Sequence, residues 1–548
     1  MSPSTFRPRR LVTRAALAAC LLVVPGPAAC GGDERKAGSI TIAETAQPDF
    51  LDPALSSTIN ATEAIWLVYT PLLTYRRAEG KAGTELIPGL AEELPDVSPD
   101  GTVYRLRLRE GLRYSNGRAV RASDFEHSVK RLLAMESPAS AFFLGIEGAQ
   151  RYLARDRPEA DVSGIVTDDA SGSITIRLRA ADATFPNVLA TTYAGVVPGD
   201  TPFVNLTERP APGVGPYRIV RSTPNREFVL ARTKGFDLPG IPAGKVERIT
   251  VRIVTNLARQ AQDVRRGRLD YMQDPPPADM LRTIKAEHPD RFREFVTPGI
   301  SFFFLNTRQP PFDKLDVRRA VNYALDESAL VRVMGGLLRS TCNVLPPSVP
   351  GYREIDPCPY GAPGRPGDIA RARSLIRAAG ADGAPVKVWG PQQDPGPAVT
   401  AYLTDLLNKI GLDAESSLVD FAVYFQTLGN RTTGAQTGFV TWLGDFPHPY
   451  SFLRQFSGPA ISETRNVNLG NVRDPVIDSA MGRLHGEPRV DRVEDDWAAL
   501  DRRLVERAYL AVYGNPMRTT FMSGRMDFEN CSLVHPVYGN DYSSFCLE

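Results

Sequence analysis

The sequence predicts a mixed α/β protein of several lobes, and three observations carry that expectation. Its 548 residues exceed what a single core organises, at about 100–200 residues per domain. Short runs of alternating apolar and polar residues, the mark of half-buried strands, are interleaved with apolar residues at helical spacing. No tandem repeat, heptad array or low-complexity tract interrupts that alternation. With 42% hydrophobic and 23% charged residues the composition is globular rather than disordered or fibrous. A formal net charge of +1 argues against a nucleic-acid partner, which calls for a clear basic excess.

The N-terminus reads as an address label. Arg7, Arg9, Arg10 and Arg14 precede the apolar run from Ala15 to Val24, followed by Pro25-Gly26-Pro27-Ala28-Ala29-Cys30-Gly31-Gly32. A basic segment, a short apolar core and small residues before a cut site describe a signal peptide over residues 1–29. The apolar run would rise about 15 Å as a helix, half the hydrocarbon thickness of a bilayer, so it is no spanning anchor. Ala28-Ala29-Cys30 resembles the lipobox of bacterial lipoproteins, with Pro27 where an aliphatic residue is usual; Leu17-Ala18-Ala19-Cys20 also fits but would leave almost no apolar core upstream. Cys30 is therefore the expected lipidation site, residues 30–38 the tether, and the protein an exported membrane lipoprotein facing outside the cytoplasm; an ordinary signal peptide cut nearby, giving a freely secreted protein, is the alternative.

The elements follow in order. Ser39–Ala43 is a strand ending at the turn-rich Gln47-Pro48-Asp49, and Thr62 to Tyr75 is apolar at helical spacing with a break at Pro71. Thr102–Leu108 alternates cleanly as a strand. A helix opens at Ser123 or Asp124, with Lys130 and Arg131 near its end, as caps and the helix dipole prefer. Further strands are expected at Ser173–Leu178, Phe228–Leu230, Ile249–Ile253 and Ser301–Leu305. Helices fit Val317 to Val331, Ile369 to Ala379 and Val399 to Ile410, the last two stopped by Gly380 and Gly411.

Cysteine use agrees with export. Beyond Cys20 and Cys30 there are Cys342, Cys358, Cys531 and Cys546, in two local pairs among loop residues. Three connectivities are open, and the clustering favours Cys342–Cys358 and Cys531–Cys546. Zinc is disfavoured, because neither CxxC spacing nor nearby histidine is present. The five histidines form no HExxH, no GxSxG elbow occurs, and Gly240 to Lys245 lacks P-loop spacing. Asp168-Asp169 and Glu494-Asp495-Asp496 read as solvated charges. No catalytic residue, cofactor or metal is expected.

Several segments in fixed order resemble the family 5 extracytoplasmic solute-binding proteins of bacterial ABC importers, the oligopeptide-, dipeptide- and nickel-binding group. They are Leu51-Asp52-Pro53; Val68-Tyr69-Thr70-Pro71-Leu72-Leu73; Pro88-Gly89-Leu90-Ala91-Glu92; Tyr114 to Phe125, continued by Ser128, Lys130 and Arg131; Gly213-Val214-Gly215-Pro216-Tyr217; Asn306 with Pro311-Phe312; and Val317 to Asp326. Ala372 to Gly380 and Lys409-Ile410-Gly411 continue the series. Most of these positions serve turns and close packing.

The resemblance implies a two-lobed periplasmic-binding-protein-like fold of type II, in the large class with an extra subdomain, closing about a hinge. Lobe I would comprise residues 39–60, 195–305 and 513–548, its inserted subdomain 61–194, and lobe II 306–512. Thr441-Trp442-Leu443-Gly444-Asp445 is similar to the family's Trp-x-Ala/Gly-Asp stretch, whose aspartate pairs with a peptide's α-ammonium group. That implies ligand contact for Asp445 and Trp442, although His448-Pro449-Tyr450 stands where the family often has an Asp-Pro pair. Gln47 and Asp49 lie in the other cleft-lining loop, and Arg431 is a candidate for a terminal carboxylate. The implied partners are an oligopeptide or other small solute, the permease subunits of an importer, and the membrane through the lipid anchor, for a monomer without nucleic acid. A nickel chelate, haem, an oligosaccharide or another solute remains open as ligand, as do an exported hydrolase and a surface sensor.

Overall fold

The computed structural model describes residues 38–154 and 161–548. The expected signal peptide, Cys20, the lipidation site Cys30 and the tether up to residue 37 lie outside the described residues. Among the described residues, twelve strands join in one mixed sheet. From one edge its order is Asp413–Val419, Pro385–Pro391, Thr437–Leu443, Gly299–Leu305, Leu510–Met522, Tyr271–Met272, Ser39–Glu44, Arg248–Ile253, Glu227–Arg232 and Tyr217–Thr223. Phe292–Val296 and Leu338–Arg339 also pair with Leu510–Met522.

That long strand belongs to both halves of the sheet. Its first residues, Leu510 to Gly514, pair antiparallel with Gly299–Leu305; Met517 to Phe521 pair with Phe292–Val296. At the change of partner stands Pro516, which has no N–H to give to a ladder. Its carbonyl instead accepts from Thr297 N at 2.9 Å and Thr297 Oγ1 at 2.8 Å, while Asn515 Nδ2 donates to Gly299 O at 2.9 Å.

Both faces of each half are covered. Gly299–Leu305 is buried at every residue. Ile300, Phe302 and Phe304 pack with Val440 on one face, and Phe303 and Leu305 pack with Val388 and Leu403 on the other. Such a strand reads as a continuous apolar run because both pleat faces are interior. In the other half Ile40 and Ile42 pack with Ile249 and Val251, while Ala43 and Met272 face Val264.

A separate four-stranded antiparallel sheet, Asp96–Val97, Val103–Arg107, Ser173–Arg177 and Ile165–Asp168, packs on helix Ala122–Ala134. Tyr104 and Leu106 face inward and Arg105 and Arg107 outward, as the sequence alternation requires. Asp124 on the helix accepts from Arg121 N at 2.9 Å, Tyr114 OH at 2.8 Å and Gly199 N at 2.8 Å. Two turns later Arg131 makes a bidentate pair with Asp52 at 2.7 and 2.5 Å, both side chains being 1% exposed. Arg131 also donates to the carbonyls of Pro202 and Val204 at 2.7 and 2.6 Å.

Three expectations change. The helix expected from Thr62 to Tyr75 is the short Ile59–Ile65, and Leu73–Tyr75 is a strand paired with Leu86–Pro88. Tertiary contacts override the local pattern there. Tyr217 N takes the carbonyl of Leu67, and Gly213 and Gly215 press so close that an added Cβ would stand 2.1 Å from Val68 O or 2.3 Å from Leu67 O. The helix expected from Val317 to Val331 is two, Leu315–Ala324 and Glu327–Val333, because Asp326 accepts from Ala329 N at 2.9 Å and starts a second helix. Cys531 and Cys546 are bonded, but the expected Cys342–Cys358 bond is absent: both are free thiols. Cys342 Sγ donates to the carbonyl of Ile355 at 3.5 Å.

The disulfide closes a loop within the C-terminal tail, which is held on the chain near residues 63–77 by the pair of Arg77 with the buried Asp541 at 3.0 Å and by Tyr542 OH donating to Glu63 at 2.7 Å. Replacing both Cys531 and Cys546 by Ser is expected to cost about 3 kcal/mol in urea unfolding, as the closure of a loop of ~15 residues implies. Asp52→Ala strands the buried Arg131 charge and is expected to cost about 3–5 kcal/mol in the same assay, with Arg131→Met similar in direction. A loss under about 1 kcal/mol for Asp52→Ala would contradict a locking role for this pair.

Candidate functional site

A cavity of about 230 Å³ lies where the two halves of the sheet meet. At ~30 Å³ per water it holds on the order of seven waters' volume, the scale of a small ligand. Separate stretches of the chain bound it: the start of helix Ile59–Ile65, Phe142, the turn around Thr192, the link after strand Phe292–Val296, the end of strand Thr437–Leu443, Arg518, and the C-terminal tail near Tyr538.

Asp445 is the acidic group at its wall. The sequence positions it through Gly444, whose N–H donates to Pro298 O at 3.0 Å; a Cβ on Gly444 would stand 2.3 Å from the ring of Phe452. Only a residue without a side chain lets the backbone cross that ring. Asp445 N donates to Ser451 Oγ at 2.9 Å, and its Oδ2 accepts from Ser451 Oγ and Arg454 Nη2, each at 3.3 Å. Among the described residues Oδ1 has no side-chain partner. The side chain keeps 30% of its surface open, toward the cavity. Burial nevertheless raises its carboxyl above the ordinary range, against the lowering effects of Arg454 and Ser451.

The other expected residues lie differently. Trp442 is half-buried against the core on one side of the sheet and donates Nε1 to Ser451 O at 3.0 Å, bracing the loop that holds Asp445; the cavity receives Leu443, its neighbour of opposite pleat. Asp49 accepts from Ser57 N at 2.7 Å, Ser57 Oγ at 2.6 Å and Thr58 Oγ1 at 3.0 Å, so it ties the loop before helix Ile59–Ile65, whose Ser57 and Ile59 reach the cavity. Its charge is still felt there: burial first, then Asp445 and Asp49, push up the hydroxyl of Tyr193, which lines the cavity. Gln47 accepts from Asn225 N at the turn between strands Tyr217–Thr223 and Glu227–Arg232, outside the cavity. Arg431 pairs with Glu463 on the surface and is not brought to the site. His448 caps helix Pro449–Leu453 through Nδ1 and is buried; desolvation lowers its pKa to about 3.

Residues that the sequence did not single out complete the walls: Phe142, Tyr193, Leu443, Arg518 and Tyr538. Beside the cavity, Phe142 meets Phe446 with ring centroids 5.9 Å apart. Asp182 pairs with His485 at 2.9 Å, and His485 stacks on Tyr450 at 4.0 Å. Among the described residues the one cluster with ligand atoms close enough for a metal contains Cys531 and Cys546, whose sulfurs are in the disulfide, with Asp527 beside them.

Residues 85–463 match the sequence profile of the bacterial extracellular solute-binding proteins, family 5, middle region. Di/tripeptide-binding protein 1 of Pseudomonas aeruginosa is 25% identical over 445 residues, 77% of this chain and 79% of that one. Heme-binding protein A of Haemophilus influenzae is 25% identical over 448 residues, 77% of each chain. Among solved structures, clavulanic acid biosynthesis oligopeptide binding protein 2 superposes with a TM-score of 0.83 at 25% identity, covering 93% of this chain and 95% of that one. A periplasmic binding protein of Helicobacter pylori in complex with the peptide STSA gives a TM-score of 0.71 at 20% identity, covering 93% and 98%.

The raised carboxyl of Asp445 has a signed consequence for the empty protein. A folded-state pKa above the unfolded one means that ionised Asp445 costs stability. The cost is absent below the ordinary carboxylate pKa of ~3.9 and complete above the raised value. Asp445→Asn is therefore expected to melt higher than the parent at pH 7, with the gain vanishing below the ordinary carboxylate pKa. A lower midpoint at pH 7 would mean that the contacts to Arg454 and Ser451 outweigh burial.

Proposed function

Because the chain belongs to family 5 of the bacterial extracellular solute-binding proteins, two-lobed type II binding proteins of ABC importers and not enzymes, we propose that it captures oligopeptides in this cavity and hands them to a membrane permease. The observation that carries the reading is Asp445: a carboxylate at a cavity wall, half engaged, with one oxygen turned to no protein side chain among the described residues. The invariant cation of a free peptide is its N-terminal ammonium. A carboxylate in a site that excludes water gives it a strong charge-assisted hydrogen bond. Extended peptides also find backbone around the cavity, at Phe295–Pro298 and Leu443–Asp445, to pair with as an added strand would, which tolerates varied side chains.

Lobe I is assigned residues 39–60, 195–305 and 513–548, with its subdomain at 61–194, and lobe II residues 306–512. Ligand is trapped as they close, the closed form being favoured only as far as ligand binds it better than the open one. Contacts such as Asp182–His485 and Phe142–Phe446 then belong to the closed form. Lipidation at Cys30 would tether the binder beside its permease.

One relative is named for haem, and the ligand class is therefore the finer claim. Haem offers no ammonium group for Asp445 to pair with; that favours the peptide.

Calorimetry tests the reading. The parent is expected to bind trialanine at least 10-fold more tightly than its N-acetyl derivative, and Asp445→Asn to erase that preference. Equal affinity for both forms in the parent would remove Asp445 from the role of ammonium partner.

A further inference from the structure

The cavity that Asp445 lines is also lined by a cation. Arg518 lies on strand Leu510–Met522, two residues past Pro516, in register with Phe295, which itself lines the cavity. Its guanidinium donates one hydrogen bond, from Nη2 to the carbonyl of Gln273 at 3.1 Å. Among the described residues no carboxylate oxygen comes within 4.0 Å of it. Arg131 and Arg318, also enclosed, are by contrast saturated by a carboxylate or by carbonyls. Arg518 is half-buried and its open side faces the cavity.

Its surroundings hold it there without using its donors. Behind it Glu63 accepts from Tyr542 OH at 2.7 Å and Gln273 Nε2 at 3.2 Å, and Asp274 accepts from Thr45 N at 2.8 Å and Thr45 Oγ1 at 2.7 Å. Glu44 accepts from Asn60 at 3.2 Å. Burial opposes the charge on Arg518, and the fields of Glu63, Tyr271 and Asp274 more than restore it. Glu63 and Asp274 offset the cost of the enclosed cation without coming within ion-pair distance of it, and both oxygens of Glu63 accept from other donors. The planar fork, which matches a carboxylate with two parallel hydrogen bonds, is left to whatever fills the cavity.

We infer that Arg518 binds the carboxylate of the ligand, so that the cavity reads a short zwitterionic peptide by both charges: its ammonium at Asp445 and its carboxylate at Arg518. This rests on the proposed pairing of Asp445 with the ammonium group. The two readers stand on strands of different halves of the sheet, Asp445 just past Thr437–Leu443 and Arg518 on the far part of Leu510–Met522. A ligand with both charges therefore spans the meeting of the halves, and one with a single charge does not.

Calorimetry with di-, tri- and tetra-alanine, each free, N-acetylated and C-terminally amidated, separates the two assignments. Amidation is expected to weaken binding of the preferred length at least 10-fold in the parent. In Arg518→Gln the free and amidated peptides are expected to agree within 3-fold, while the penalty for N-acetylation persists; Arg518→Lys should restore part of the preference. Because the first comparison uses the parent alone, a poorly folding variant does not decide the matter. Equal binding of acid and amide by the parent, or a preference that survives in Arg518→Gln, overturns the Arg518 assignment. A penalty for amidation with none for acetylation supports Arg518 and overturns Asp445. Failure of every free peptide to bind overturns both.

Discussion

The structure depends on one strand being shared. Leu510–Met522 supplies a ladder to Gly299–Leu305 in one half of the sheet and to Phe292–Val296 in the other, so the two halves cannot part without bending it. The bend has a place. At Pro516 the ladder lacks an N–H, and the carbonyl there is held by Thr297, the residue at which the neighbouring strand also changes course. Two chain crossings thus lie side by side at 297–298 and 515–517. The cavity opens beside them, walled by Thr297, Pro298 and Arg518. The irregular point of the sheet and the cavity are one location, so whatever fills the cavity touches both halves.

Around that location the sequence builds locks. Asp52 and Arg131 each sit in a stretch that resembles the family, and in space they are a single bidentate pair that fastens the first loop to the helix Ala122–Ala134. Tyr114 and Asp124 are likewise one hydrogen bond, and Gly213 and Gly215 exist to let two backbones touch. The motifs were legible as a series because they constrain one another. Their meaning as contacts was not, since sequence spacing says nothing about which distant partner satisfies a buried charge.

The strands and most helices were legible from periodicity, and the helix at Thr62 to Tyr75 failed where a neighbour took its carbonyls. Of the residues expected at the site, Asp445 is the one that lines the cavity. Trp442 is one residue off, turned by the pleat to brace the loop rather than face the cavity. Gln47 and Arg431 found partners of their own at Asn225 and Glu463, which a lone polar residue in a loop usually does. Arg518 gave one signal that could have been read. A proline in the middle of an otherwise apolar strand marks an irregularity, and a cation two residues on, in a segment with so little other charge, marks its use.

The charges of the site are arranged at a cost to the fold: Glu44, Glu63 and Asp445 are all carboxyls that burial pushes up. What the ligand is decides whether these charges are a peptide site. Native mass spectrometry of the gently purified mature protein, followed by denaturing release of whatever accompanies it, tests this most directly. A site that reads both termini predicts a set of short peptides with free ends. A single non-peptide mass, such as haem or a sugar, would leave the fold and the family standing and contradict a peptide site at Asp445 and Arg518.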